Sequence, residues 1–185
     1  MRISSLLAFT LSASSILGVT AHSIQAIQAP NGTVSFEKPP RLLAANTTYK
    51  AVNAWGAKYY FTLTLPENAG KPLKQVTIRQ VEGGKDIDFQ DEVLAFEGVP
   101  RNKEKELAVE AVTQDEEAET VSIILESPVS PGKTFTLGLQ PGRNPKTPGV
   151  YLFRVTAFPA GENPYSLDLG VGRLHFYRNG ISLLY

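Results

Sequence analysis

The chain has 185 residues, with 18 Lys plus Arg against 18 Asp plus Glu, two His and no Cys. That charge balance offers no electrostatic basis for binding nucleic acid or an anionic membrane surface. The lack of Cys excludes disulfides, zinc thiolates and iron–sulfur clusters, and Met1 is the only methionine, so sulfur oxidation beyond it is excluded too.

The first element is a leader. Arg2 is followed by an uncharged run of apolar and small residues over 6–19, with Val19 and Ala21 at the spacing a signal peptidase accepts. The run is too short for a comfortable membrane anchor. It predicts a cleavable signal peptide over residues 1–21, with Ser23 and Ala26 as later alternative cut points. Removing Arg2 leaves 17 basic against 18 acidic residues, a net charge of −1. With no Cys there is no lipobox, and no later segment reads as membrane-spanning. The expected product is exported to the periplasm or beyond the cell, not lipidated, and carries a flexible leader over 22–32 and one domain over 33–185.

The mature chain reads as short strands. Residues 34–36 form a first one, stopped by Pro39 and Pro40. Over 58–65, Tyr59, Phe61, Leu63 and Leu65 alternate with Lys58, Tyr60, Thr62 and Thr64, the period of a half-buried strand. Val76 and Ile78 alternate with polar neighbours until Gly83-Gly84. Leu107, Val109 and Ala111, then Val121, Ile123 and Leu125, flank an acidic turn over 115–119, which makes a hairpin. Pro131-Gly132 marks a turn before Phe135, Leu137 and Leu139. The Pro- and Gly-rich stretch 141–149 is a loop, and 150–158 is apolar on both faces except at Arg154 and Thr156, as in a central covered strand. Leu174 and Phe176 alternate with Arg173, His175 and Tyr177 in a last strand. Helix is expected only as a turn or two at 89–96 and at 42–46. The sum is an all-β domain, an immunoglobulin-like antiparallel β-sandwich of about eight strands with little helix.

Several segments carry a resemblance. They are Pro39-Pro40-Arg41-Leu42, Trp55-Gly56-Ala57-Lys58-Tyr59-Tyr60-Phe61-Thr62-Leu63 and Leu65-Pro66-Glu67-Asn68-Ala69-Gly70. Later come Arg143-Asn144-Pro145, Gly149-Val150-Tyr151-Leu152-Phe153, Val155-Thr156-Ala157-Phe158-Pro159-Ala160-Gly161 and Gly172-Arg173-Leu174-His175-Phe176-Tyr177. Together, over about residues 33–178, they resemble a family of exported cyanobacterial proteins known only as a domain of unknown function. The resemblance implies export, one domain and a photosynthetic bacterial source. It brings no activity, substrate or catalytic residue.

The chemistry-bearing residues are sparse. No Ser lies in a Gly-x-Ser-x-Gly elbow, and the only histidines are His22 and His175. Asp86, Asp88, Asp91 and Glu92 form a local acidic cluster that begins, and does not complete, a calcium-loop pattern. The ordinary reading of it, and of Asp115, Glu116, Glu117 and Glu119, is a solvated turn. Cleavage after Ala21 makes His22 the N-terminus. Its amine and imidazole, with His175, then form a candidate copper site; the ordinary reading of His175 is a surface strand histidine. Most aromatics alternate along strands and read as core, whereas Trp55 precedes Gly56 in a loop and is the aromatic to test for exposure. Arg143 and Asn144 are binding-loop candidates. Their ordinary reading is turn chemistry, with Pro145 in a cis bond and Arg143 paired to the acidic turns.

The expected function is that of a non-enzymatic binding or structural module of the cell envelope, with an unidentified envelope ligand and no cofactor. The alternative is a periplasmic copper-binding protein using His22 and His175.

Overall fold

The computed structural model describes residues 32–84 and 87–178. They form ten strands: β1 (Arg41–Thr47), β2 (Tyr59–Thr64), β3 (Leu73–Glu82), β4 (Phe89–Val99), β5 (Asn102–Glu106), β6 (Val109–Asp115), β7 (Thr120–Val129), β8 (Thr134–Pro141), β9 (Gly149–Pro159) and β10 (Leu167–Phe176). Two antiparallel five-stranded sheets pack face to face. The first has the order β1-β2-β8-β4-β5 and the second β10-β9-β3-β7-β6. The chain crosses repeatedly between them, so each sheet is assembled from distant segments, as in immunoglobulin-like sandwiches.

Alternation builds the core. From the first sheet come Tyr59, Phe61, Leu63, Phe135, Leu137 and Leu139. From the second come Val76, Ile78, Ile123, Leu125, Tyr151, Phe153, Val155, Leu174 and Phe176. Phe153 meets Phe61 edge-on with ring centroids 5.7 Å apart, and Tyr151 meets Phe176 at 5.3 Å. Each fully buried aromatic or aliphatic side chain of this kind stabilises the fold by about 1.5–3 kcal/mol.

The sandwich matches expectation, and four details differ. Residues 89–96 and 42–46 are strand, not helical turn. Register shifts between Phe89 and Val93 and between Leu42 and Ala44 break the period of two that marks a strand. β5 has no apolar residue and every position is exposed; it is a charged edge strand, with nothing in its pattern to signal a sheet. Residues 34–36 make only an isolated bridge between Val34 and Pro164, because Pro164 has no N–H to extend a ladder. β2 is buried on both faces rather than one. Tyr60 packs against Phe96 at 6.2 Å. The Thr62 hydroxyl donates to Thr136 Oγ1 at 3.0 Å, and Thr136 donates to the Gly98 carbonyl at 2.8 Å.

The strand ends define two poles. One gathers residues 48–58, the segment before β4, the β6–β7 turn, residues 142–148 and the end of β10. The other gathers residues 32–40, 65–72, 130–133 and 160–166.

Candidate functional site

The first pole holds nearly every described residue the sequence singled out. Its frame is Asn144, which is 1% exposed. The Asn144 amide nitrogen donates to the carbonyls of Tyr49 at 2.9 Å and Ala51 at 2.8 Å, and its Oδ1 accepts from the Tyr59 hydroxyl at 2.9 Å. Its backbone N–H donates to the Ala54 carbonyl, and the Asn53 N–H donates to the Pro145 carbonyl. One buried amide thus ties the β1–β2 loop to the β8–β9 loop and to a core tyrosine. Asn144 is therefore not a surface that a partner can touch, which corrects its candidacy as a binding residue. Among the described residues there are no cis peptide bonds, so the expected cis bond at Pro145 is also corrected.

Above this frame the chain turns through two left-handed positions, Asn53 at φ 58° and Gly56 at φ 68°. That path lifts Trp55 clear of the sandwich, and it is 67% exposed. The Arg143 guanidinium lies over the indole, 4.1 Å from the ring centroid. Among the described residues Arg143 makes no ion pair, so the expected pairing with the acidic turns does not occur. The indole face takes the cation instead, leaving the guanidinium N–H groups outward. Tyr49 and Tyr177, each 54% exposed, lie at the same pole. The end of β10 is sewn to the same loop: the Tyr177 N–H donates to Lys50 and the Val52 N–H donates to Tyr177. Tyr177 alternates with Leu174 and Phe176 in the sequence. It follows Phe176, so it points to the other side of the strand, and that parity was the available signal.

His175 is half-buried near the end of β10, its ring stacked against Tyr177 at 6.3 Å and 26°. His22 lies outside the described residues, as does Asp86. Asp88, Asp91 and Glu92 are exposed. The fold joins this cluster to the other acidic turn. A cleft of about 620 Å³ is lined by Asp88, Asp91, Asp115, Glu116, Glu117 and Glu119. Gln114 Nε2 bridges the two sides, donating to Asp91 Oδ1 at 2.9 Å and to the Phe89 carbonyl at 3.1 Å. Asp115 Oδ1 accepts the Ala118 N–H at 2.9 Å and so shapes the turn. Among the described residues no three His, Asp or Glu side chains come together in a geometry that could hold a metal ion. No helix among them is long and apolar enough to cross a membrane.

The architecture and its pole define an all-β sandwich domain whose chemistry-bearing side chains sit on loops over a rigid frame. The chain belongs to the family described as protein of unknown function (DUF2808), which matches residues 33–176. A search of curated proteins returned no match. Among solved structures the chain is similar to BslA, a bacterial hydrophobin, at 13% identity and TM-score 0.43, covering 77% of this chain and 99% of that one. It is also similar to the collagen-binding domain of a Staphylococcus aureus adhesin, at 9% identity and TM-score 0.38, covering 73% and 95%. An uncharacterised Nocardia farcinica protein with an immunoglobulin-like fold matches at 12% identity and TM-score 0.37, covering 72% and 96%.

Proposed function

We propose that this protein is exported and acts as a non-enzymatic binding module of the cell envelope, with the Trp55–Arg143 pole as its recognition surface. The observation that carries the reading is the stack itself: the indole is 67% exposed yet held in place under a guanidinium. Scattered exposed apolar residues are ordinary on a protein surface. Three exposed aromatics gather at one pole, two of them on the loop that Asn144 fixes, and Trp, Tyr and Arg are the side chains that dominate binding energy at interfaces. Because the loops are already fixed by Asn144, little ordering entropy is lost when a partner docks.

Intact mass of protein recovered from outside the cytoplasm tests export and locates the cut. Retention of envelope components on immobilised wild type, compared with a Trp55→Ala/Arg143→Ala variant, tests the surface. We expect the double variant to fold, since an exposed cation–π pair contributes only about 0.5–1 kcal/mol, and to lose the retained component. Equal retention by both proteins, or turnover of an envelope substrate by the wild type, defeats the reading.

A further inference from the structure

The outer face of the second sheet carries an arrangement that the aromatic pole does not explain. β3 and β9 pair so that Arg79 stands directly opposite Arg154. Their neighbours Ile78, Val155 and Phe153 point into the core, so both guanidiniums rise from the same solvent face. Like charges directly opposite on antiparallel strands are destabilising. The fold relieves only one of them. Arg154 Nη1 donates to Asp168 Oδ2 at 3.0 Å, while Asp168 Oδ1 accepts the Gly170 N–H at 2.8 Å inside an irregularity of β10. Gly170 has φ 97° there, a conformation that strains any side-chain-bearing residue. Arg79 forms no hydrogen bond or ion pair with a described residue, the adjoining Glu117 and Glu119 included. Around the pair runs a cleft of about 500 Å³, lined also by the hydroxyls of Thr120, Thr156 and Ser166 and by Tyr165, which is 61% exposed.

We propose that this cleft binds an acidic polysaccharide, with Arg79 and Arg154 receiving a sugar carboxylate between them. Two planar guanidiniums side by side match the fork of a carboxylate better than any neutral group. The threonine and serine hydroxyls suit the alternating donors and acceptors of sugar hydroxyls. The open Tyr165 ring offers an apolar face to the C–H side of a pyranose. Leu167 and the Asp168 carboxylate also line the cleft, but hydroxyls and guanidiniums outnumber large apolar side chains, which favours a sugar over a lipid surface. The site is separate from Trp55 and stands whether or not the pole binds a partner.

Calorimetric titration of the folded chain at low salt, with polygalacturonate as the probe, tests this. Neutral dextran and phosphatidylglycerol vesicles are the comparison arms. Wild type is expected to bind polygalacturonate and neither comparison. Arg79→Gln and Arg154→Gln are each expected to weaken binding by at least about tenfold, while Trp55→Ala and Lys105→Gln, on β5 of the other sheet, leave it unchanged. Arg79→Gln is also expected to keep or raise Tm, because it removes the like-charge opposition. A merely structural arginine would lower Tm instead. The proposal is overturned by wild type that binds no polygalacturonate, by dextran or vesicles bound as tightly, or by arginine variants that keep wild-type affinity.

Discussion

Replacing Asn144 with Ala removes one side chain and releases three hydrogen-bond partners, two in the β1–β2 loop and one in the core. The Tyr59 hydroxyl loses its acceptor at a fully buried position, and the Tyr49 and Ala51 carbonyls lose a shared donor at partly buried ones. A net hydrogen bond of this kind is worth about 1 kcal/mol, and a buried polar group left without that partner costs up to about 3 kcal/mol. Water can reach the two carbonyls more readily than the hydroxyl, so the loss is about 3 kcal/mol in all. For a domain of this size each kcal/mol lowers Tm by about 2–4 °C, which sets the expected drop near 10 °C in a thermal melt followed by circular dichroism. Tyr59→Phe removes only one of the three bonds and should lower Tm by about a third as much. A second readout follows from the geometry: with its frame gone, the β1–β2 loop should no longer hold Trp55 under Arg143. Asn144→Ala melting within about 3 °C of wild type would refute the claim that this amide fixes the pole.

Gly172 lies where β10 crosses β1, and a Cβ there would sit 2.6 Å from the Ala45 Cβ and 3.2 Å from Phe61 Cε1. Gly172→Ala should therefore destabilise by about 1–3 kcal/mol by chemical denaturation, and an unchanged midpoint would mean the seam is looser than described. The hydrogen bond and charge of Glu97 hold the Lys133 ammonium proton above the ordinary 10.5. Because the folded value is the higher one, the pair's contribution is fully present below 10.5 and fades as pH rises through the raised value. The Tm gap between wild type and Lys133→Gln should accordingly be present at neutral pH and close in strong alkali; a gap that widens with rising pH contradicts the sign. Copper titration of the exported species is expected to give the same uptake for wild type and His175→Ala, because His175 is stacked on Tyr177. A tight site lost in the variant would favour the His22–His175 alternative.

The alternating strands were legible because a sandwich buries one side chain in two. Tyr59, Phe61 and Leu63 announce β2, and Val121, Ile123 and Leu125 announce β7. β1 and β4 were hidden because a bulge shifts the phase of alternation partway along, and a shifted phase in a short apolar run reads as a helical turn. β5 was hidden because an edge strand facing solvent needs charge rather than apolar residues. The candidate site divides in the same way. Trp55 was marked by its loop position, but its stacking with Arg143 and the role of Asn144 depend on contacts between distant segments. Tyr59 and Asn144 are 85 positions apart, and no local pattern encodes that meeting. The same holds for Arg79 and Arg154, whose opposition exists only in the register of β3 with β9. The two acidic clusters read as separate solvated turns, and the fold places them in one cleft.

Trp55 is the only tryptophan in the chain, so its fluorescence reports on the proposed recognition surface alone. Adding the envelope component retained by the immobilised protein should shift the emission to the blue and shield the indole from iodide quenching, with neither change in Arg143→Ala at the same concentration. An emission spectrum and iodide quenching that stay unchanged while the component is bound would contradict the account.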